Sequence, residues 1–430
     1  MATTGNDTSG TGSIDNPYRT LRHATLKTRP GDTVFVRGGI YPKDTIIAQG
    51  TAARPILVRP YQSESVIIDG TGAIMTDIES LLFITDSRYT TVEGFEVRNS
   101  AGRGISVYES RYITVRNNNV HHIRTRGLGG AGDGIVFESN HVWQVVLENE
   151  NGLLANQGRG WAAAISSYTM ADGFPSRNIV FRNNYVHDSW GEGIIALRAE
   201  GVLVEGNIIH DTFSVNLYIS KAINVVVREN YLYSTTDEYN RYSYPANGIT
   251  MANEGSSPEQ PHIDHVQIVN NVLVNTGYGI NYWHYPDSPN DPANTYADVL
   301  IAYNLITNSH KDALAFDTVN PEVYNAPANN RLHNNVLDVQ EPNGRMAIIG
   351  NPTSWQITHN NWVDGLPSGG YVSPEAFNFS LPAGLIAPRV GGQIGGFQPS
   401  PNSAVLGKGT PLAEVAHDFS ATPARPTNPR

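Results

Sequence analysis

The chain of 430 residues contains no cysteine, so disulfide frameworks, cysteine-ligated zinc and thiol catalysis are excluded. Charged residues make up only 16%, and acidic residues outnumber basic ones by 40 to 29, which gives a net charge of −11. This balance excludes a nucleic acid or an anionic membrane held by a basic surface. No run of roughly 18 apolar residues is found, so no transmembrane helix is predicted.

Enough apolar side chain is present for a large core, because hydrophobic residues make up 40% of the chain. Lysine is scarce, whereas glycine (41) and tyrosine (21) are abundant. This composition disfavours long exposed helices and predicts a folded protein made mostly of strands and turns.

One short phrase recurs from about Tyr89 to Val363: an apolar residue, two variable residues, an asparagine, one variable residue and a second apolar residue. The asparagines are Asn118, Asn184, Asn207, Asn230, Asn271, Asn304, Asn335 and Asn360. Their separations are 66, 23, 23, 41, 33, 31 and 25, so the unit has about 23 residues, with insertions. Such a unit suits three short strands joined by turns, which predicts an all-β parallel β-helix, a solenoid of about ten or more coils.

The recurring asparagine has a physical role in such a stack. Coils repeat at ~4.8 Å, so side-chain amides can hydrogen-bond from one coil to the next, and asparagine tolerates the left-handed conformation of a sharp corner. We therefore predict an asparagine ladder.

A second phrase marks another strand of each coil, as in GRGISV, GDGIVF and GEGIIA. Aligning these phrases predicts one column along the solenoid: Arg103, Asp133, Ala163, Glu192, Val215, Asn247, Tyr278 and Asp312.

The two ends of the chain differ from the repeats. Asp15, Asn16 and Pro17 precede YRTLRHATLKT, which predicts a short amphipathic α-helix that caps the first coil. Beyond Asp364 the chain is rich in glycine and proline. We predict a β-helix with its cap over residues 1–364 and an irregular segment over residues 365–430 that packs on the last coils.

The stretch NDTSGTGSIDNPYRTLRHATLKTRPGDTVFVRGGIY resembles the cap and first strand of the pectin-lyase-like superfamily of secreted right-handed parallel β-helix proteins. Pectate lyases, alginate lyases and chondroitinase B-like lyases belong to this superfamily. The resemblance implies a right-handed, single-stranded β-helix and a secreted, extracellular protein. The ending SPNSAVLGKG with DFSATPARP resembles the close of bacterial extracellular β-helix proteins, in which further residues follow, so a longer natural chain is expected.

Insertions at about 143–160, 234–246, 254–264, 284–298 and 318–331 are expected to form loops on both sides of the Gly-Ile strands and to wall a groove. Aromatic rings offer flat apolar faces to sugars. We therefore expect a polysaccharide or oligosaccharide substrate. The predicted substrate-binding residues are Tyr218, Tyr278, Trp283 and Tyr242.

Arg198 and Lys221 lie one 23-residue unit apart and are predicted to stack. Elimination from a uronate needs a cation to neutralise the carboxylate and a base to remove the α-proton. In the lyases that this chain resembles, a lysine and an arginine one coil apart do this work, with the lysine first. Here the order is reversed.

Carboxylates suggest a hydrolytic alternative. Asp133 and Glu192 are predicted two coils apart, ~9.6 Å along the axis, with the small Ala163 between them. That spacing is close to the ~6.5–9.5 Å that separates the carboxyl groups of an inverting glycosidase. Glu254 is a further candidate acid, near Trp283 and His284.

Asp188 and Asp211 each follow a histidine and are predicted to stack one coil apart. Their ~4.8 Å spacing is nearer to that of a retaining carboxylate pair, and it also suits a calcium site if further ligands converge. Calcium is thus the one candidate cofactor, with Asp188 and Asp211 as candidate ligands.

Together these observations predict a monomeric, extracellular carbohydrate-active enzyme that cleaves glycosidic bonds in a groove between about Asp188 and His284. A polysaccharide lyase is slightly favoured. The alternatives are a glycoside hydrolase with paired carboxylates and a non-catalytic glycan-binding or structural β-helix. Neither a nucleic acid nor a membrane is expected as a partner.

Overall fold

The computed structural model describes residues 1–254, 262–283, 296–316, 329–339, 347–349, 355–358, 360, 371–372, 412 and 415. Its strands run parallel from coil to coil, with the exception of one antiparallel pair at the C-terminal end. The elements in chain order are α1 (Leu21–Leu26), β1 (Thr33–Val36), β2 (Gly39–Tyr41), β3 (Asp44–Ile46), β4 (Ile56–Pro60), β5 (Val66–Asp69), β6 (Ser80–Thr85), β7 (Arg88–Glu93), β8 (Glu96–Ser100), β9 (Arg103–Arg116), β10 (Asn119–Ile123), β11 (Leu128–Glu138), β12 (His141–Val145), two short 3₁₀ segments (Leu147–Gly152 and Ala155–Gln157), β13 (Ala163–Ser167), β14 (Ser176–Arg182), β15 (Tyr185–Ser189), β16 (Glu192–Leu197), β17 (Ala199–Glu205), β18 (Ile208–Thr212), β19 (Val215–Ser220), β20 (Ile223–Arg228), β21 (Tyr231–Tyr233), β22 (Asn247–Ala252), β23 (Ile263–Val269), β24 (Val272–Val274), β25 (Ile280–Trp283), β26 (Tyr296–Ala302), β27 (Leu305–Ser309), β28 (Leu314–Phe316), β29 (Asn330–His333), β30 (Val336–Val339), β31 (Ala347–Ile349), β32 (Trp355–Thr358) and β33 (Tyr371–Val372).

Three faces surround one core. The front face holds β3, β6, the first half of β9, the start of β11, then β13, β16, β19, β22, β25, β28 and β31. The second face holds β1, β4, β7, the second halves of β9 and β11, then β14, β17, β20, β23, β26, β29 and β32. The third face is a separate sheet of 11 strands, from β2 to β30. The predicted parallel β-helix of ten or more coils is confirmed.

The core is a set of apolar columns along the solenoid axis. Alternate residues of the second-face strands point inward, so that β17 buries Val202 and Val204 and leaves Leu203 between them partly exposed. Like residues stack on like from coil to coil, as in Phe137 and Phe181, whose ring centroids are 5.7 Å apart. Removing one such ring would leave a cavity in a column, and this is why the interior tolerates little change in side-chain volume.

The asparagine ladder is confirmed and has one more member than predicted, Asn140, between Asn118 and Asn184. Each ladder amide donates to the next side-chain oxygen, as from Asn207 to Asn230 at 2.9 Å, and also to a backbone carbonyl. The ladder asparagines do not themselves have positive φ. The left-handed corner falls on the residue before each ladder member from Asn118 to Asn335, for example Asn183 with φ 55°. Buried hydrogen bonding, rather than tolerance of that conformation, explains the asparagine.

The N-terminal cap is less helical than predicted. The helix α1 spans six residues and starts after Thr20, whose hydroxyl accepts from the amide of His23 at 3.1 Å. Asp44 reaches from β3 to accept from the amides of Leu21 and Arg22. The helix does not extend further toward the N-terminus. The carboxylate of Asp7 accepts hydrogen bonds from the amide of Arg19 and the hydroxyl of Thr20, and the residues before Thr20 form turns.

Little of the C-terminal segment lies among the described residues. Leu412 and Val415 pack on the second face, and the amide of Leu412 donates to the Tyr303 hydroxyl at 3.1 Å. The predicted boundary at residue 364 lies outside the described residues. Within the described part of the chain, no helix has the length and apolar character to cross a membrane.

The ladder predicts a local cost for asparagine removal. Asn207→Ala leaves the buried amide of Asn184 and the carbonyl of Phe181 without partners, so the free energy of unfolding should fall by ~1–3 kcal/mol. Chemical denaturation measures this change, with the exposed Asn156→Ala as a control expected to change it by less than ~0.5 kcal/mol. Equal effects of the two substitutions would contradict the role of the ladder.

Candidate functional site

The register of the front face fixes which side chains share a column. Leu128 of β11 pairs with Ile105 and with Ile165, and Ile194 pairs with Leu217. The column that contains Glu192 is therefore Arg103, Arg126, Ala163, Glu192, Val215, Asn247, Tyr278 and Asp312. Seven of the eight predicted members are correct, and Arg126 replaces Asp133.

The prediction that Asp133 pairs with Glu192 is wrong. Asp133 lies on the second face, in register with Arg111 and Arg177. Its carboxylate accepts a hydrogen bond from the side chain of Asn178 at 2.8 Å. The segment GDGIVF thus belongs to a second-face strand, although its sequence resembles the front-face phrase. Asp133 takes no part in the site.

Glu192 opens β16 on the outer side of the front face, yet its side chain is 7% exposed. Burial raises its pKa well above the ordinary value, and the nearby charge of Glu254 raises the pKa further. Arg126 and Arg241 act in the opposite direction with smaller effects. The result is a recessed carboxyl group that retains its proton far above pH 4.5, as a proton donor requires.

Tyr218 links the two carboxyl groups. Its ring lies one coil on from Ile195, and its hydroxyl donates a hydrogen bond to Glu254. Burial, Glu254 and Glu192, in that order, raise the pKa of Tyr218 well above its usual range. Tyr218 is therefore a neutral hydrogen-bond donor at physiological pH, and it orients the carboxyl group of Glu254.

The floor of the site continues in the next coils with uncharged polar groups. The hydroxyl of Thr250 donates to the side-chain oxygen of Asn281 at 2.7 Å, and Asn247 accepts from the amide of Tyr278 at 3.2 Å. Ala252 and Ile195 share the outer cluster with Tyr218, and both are nearly fully buried although they point away from the core. Outward-facing residues with so little exposure show that the front face is recessed between its flanking loops.

One flanking wall comes from the loops that precede β13 and β22. The guanidinium of Arg241 lies 4.3 Å from the ring centroid of Trp161 and 4.7 Å from that of Tyr242. This stack joins two insertions, and it places the charge of Arg241 near Glu192. Trp161 and Arg241 were not among the predicted site residues.

The predicted aromatic residues are found in part at this site. Tyr242 is 53% exposed and packs beside Tyr244, which in turn meets Tyr278 edge to face. Trp283 is 37% exposed at the end of β25, in register with Ala252. Tyr242 and Trp283 thus present ring surface to solvent, which a sugar could contact. His284 lies outside the described residues.

Arg198 and Lys221 stack as predicted, at the corner between the front and second faces. The amide of Arg198 donates to Ser220 and that of Lys221 donates to Ala252. Both residues have positive φ, 48° and 46°. Lys221 is fully buried, and its backbone joins the edge of the recessed face through Ala252.

Asp188 and Asp211 lie on the third face, which is remote from the recess. Their neighbours His187 and His210 stack with ring centroids 5.1 Å apart, as predicted. Burial alone would raise the pKa of Asp211, but hydrogen bonds from His210 and Thr235 lower it below its ordinary value. Across the described residues, no group of three or more His, Asp or Glu side chains is placed to hold a metal ion.

Comparison with known proteins agrees with this architecture. Residues 1–190 match the family model of the Pel9A-like, right-handed β-helix region, and residues 163–290 match the model of the right-handed β-helix region. The chain is therefore a right-handed parallel β-helix protein, and its residues 1–190 are similar to the Pel9A-like β-helix region.

Individual relatives are distant. The chain is 32% identical over 124 residues to pectate lyase PEL9 of Emericella nidulans, covering 25% of this chain and 30% of that protein. It is 26% identical over 183 residues to the uncharacterized protein YwoF of Bacillus subtilis, covering 40% of this chain and 39% of that protein. The crystal structure of pectate lyase Pel9A superimposes with a TM-score of 0.55 at 14% identity, covering 97% of this chain and 92% of that one. The chain spans well under half of the length of either curated relative, PEL9 or YwoF.

The third face generates a prediction of acid sensitivity. Burial, then His187 and His121, lower the pKa of His141 from 6.5 to about 4. Between these two pH values the unfolded chain therefore binds a proton at His141 that the folded chain does not. The folded state has its full stability above pH 6.5 and loses part of it as the pH falls toward 4. Denaturation midpoints between pH 7 and 4 should fall less steeply for His141→Gln than for the natural protein. Parallel curves would contradict this assignment.

Proposed function

We propose that this protein is a carbohydrate-active enzyme that hydrolyses glycosidic bonds of a polysaccharide on the recessed front face. The observation that carries the proposal is the pair of carboxyl groups, Glu192 and Glu254, which share one recess with Tyr218, where burial and the charge of Glu254 raise the pKa of Glu192. Glu192 is held in its acid form, and Tyr218 donates to the carboxylate of Glu254. Two carboxyl groups in opposite protonation states are the requirement of glycoside hydrolysis.

The reaction assigns one role to each carboxyl group. Glu192 gives its proton to the leaving glycosidic oxygen, and water supplies the hydroxyl group to the anomeric carbon. Glu254 accepts the proton that the water loses. Glu192 and Glu254 belong to coils two apart, so they can flank a bond of a chain that lies along the solenoid axis.

The substrate class follows from the cations beside the acid. Arg126 and Arg241 both lower the pKa of Glu192 by their charge, and a guanidinium group is a suitable partner for the carboxylate of a sugar acid. The relatives named pectate lyase act on an acidic polysaccharide, which supports the same class. We therefore expect an acidic glycan in preference to a neutral one.

A polysaccharide lyase is the second candidate, supported by the Pel9A-like match over residues 1–190. Elimination needs a base for the α-proton of a uronate. Two candidate bases among the described residues are poorly suited, because Lys221 is fully buried and Tyr218 has a raised pKa. The geometry thus favours hydrolysis.

A panel of soluble acidic and neutral polysaccharides tests the proposal. We expect new reducing ends without the ultraviolet absorbance of an unsaturated uronate. Glu192→Gln should lower kcat by ~10²- to 10⁴-fold, because it removes the proton donor and keeps the shape. Glu200→Gln on the second face is the matched control, with unchanged activity.

Lys221→Met separates the two candidates. A hydrolase should keep its kcat in this variant, whereas a lyase that uses Lys221 should lose it, with melting temperatures recorded for each protein. Reducing ends accompanied by the unsaturated absorbance would contradict hydrolysis. Binding of a glycan with no cleavage would instead indicate a non-catalytic binding protein.

A further inference from the structure

One aromatic side chain lies across the recessed face on the N-terminal side of Glu192. Tyr168 follows β13, and its hydroxyl would be 1.9 Å from a Cβ atom at Gly129, so its phenol occupies the space that a side chain at position 129 would fill. Gly129 belongs to the floor, in register with Ser166. Tyr168 thus covers the floor one coil before the coil of Ala163.

Two arginines at the opposite edge of the face hold this ring. The guanidinium carbon of Arg126 lies 5.0 Å from the ring centroid of Tyr168, and that of Arg103 lies 5.5 Å from it. Both arginines belong to the column that contains Glu192: Arg103 opens β9, and Arg126 lies two residues before β11. Tyr168 extends from the far end of β13. The tyrosine and the arginines therefore span the width of the face between them.

The barrier is close to the candidate acid. Ala163 separates Arg126 from Glu192 in the column, so the two residues are two coils apart, ~9.6 Å along the axis. The buried hydroxyls of Tyr168 and Ser166 have no hydrogen-bond partner among the described residues, and Ser166 is 1% exposed. Unsatisfied buried hydroxyl groups are costly, and a sugar hydroxyl in this short space could satisfy them.

We propose that Tyr168, clamped by Arg103 and Arg126, closes the groove on the N-terminal side of Glu192, so that a glycan must enter with a free chain end against this barrier. The protein then removes short units from one end of the chain rather than cutting at internal bonds. This inference rests on the proposed function for its chemistry. The barrier itself affects which chains bind, so binding tests it independently of catalysis.

The test uses a defined acidic oligosaccharide in two forms, uncapped and bulkily capped at both ends. Natural protein should cleave the uncapped chain into a single short product and should leave the capped chain intact. Tyr168→Ala should cleave both forms and release fragments of mixed length, because it removes the barrier. Tyr168→Phe keeps the ring between the arginines and should retain the product pattern of the natural protein.

Binding is measured in parallel by fluorescence anisotropy in the Glu192→Gln background. Uncapped chains should bind at least several-fold more tightly than capped chains, and Tyr168→Ala should abolish the difference. Equal cleavage or equal binding of the two forms by protein with Tyr168 present would overturn the barrier. If the uncapped chain binds selectively but the natural protein does not cleave it, the barrier is supported and the hydrolase is contradicted. If neither chain binds, both the barrier and the hydrolase are contradicted.

Discussion

The stacking of one coil on the next is the constraint on which the rest of this molecule depends. Backbone pairing and the buried ladder from Asn118 to Asn360 fix the register, so each side chain lies above its counterpart in the preceding coil. Because the amides in the ladder use both donors and the acceptor, a slip of one residue would leave several buried groups unpaired. The position of every candidate site residue follows from this register.

Chemistry is concentrated where the regular coils meet the insertions. The strands β16 and β19 carry Glu192 and Tyr218 on a rigid floor, and loops from the neighbouring coils supply Trp161, Arg241 and Tyr168 as walls. A rigid floor positions the reacting groups, and the walls remove them from water. The raised pKa of Glu192 is a consequence of that exclusion, with Glu254 as a further cause.

Sequence patterns predicted the solenoid, the ladder and the column of Glu192, because asparagine and the apolar positions repeat at a nearly constant interval. These patterns failed where the sequence of one coil departs from the repeat that the other coils share. The front-face strand of that coil reads Gly127-Leu128-Gly129-Gly130, with glycine at position 129 because Tyr168 fills the space above it, and GDGIVF was aligned in its place. Arg126 was missed through the same misalignment, because it holds the column position that was given to Asp133. Trp161 and Arg241 were missed because loop contacts leave no periodic trace. FESNHV, which contains Asn140, does fit the repeat and could have corrected the register.

The central claim is that Glu192 is a buried carboxylic acid whose pKa is raised well above its ordinary value. Infrared difference spectra of the natural protein minus Glu192→Gln, recorded from pH 3 to pH 9, test this claim without any substrate. We expect the carbonyl band of a protonated carboxyl group to persist well above pH 4.5, because burial and Glu254 both disfavour the charged form. Loss of that band at or below pH 4.5 would contradict the account of the site.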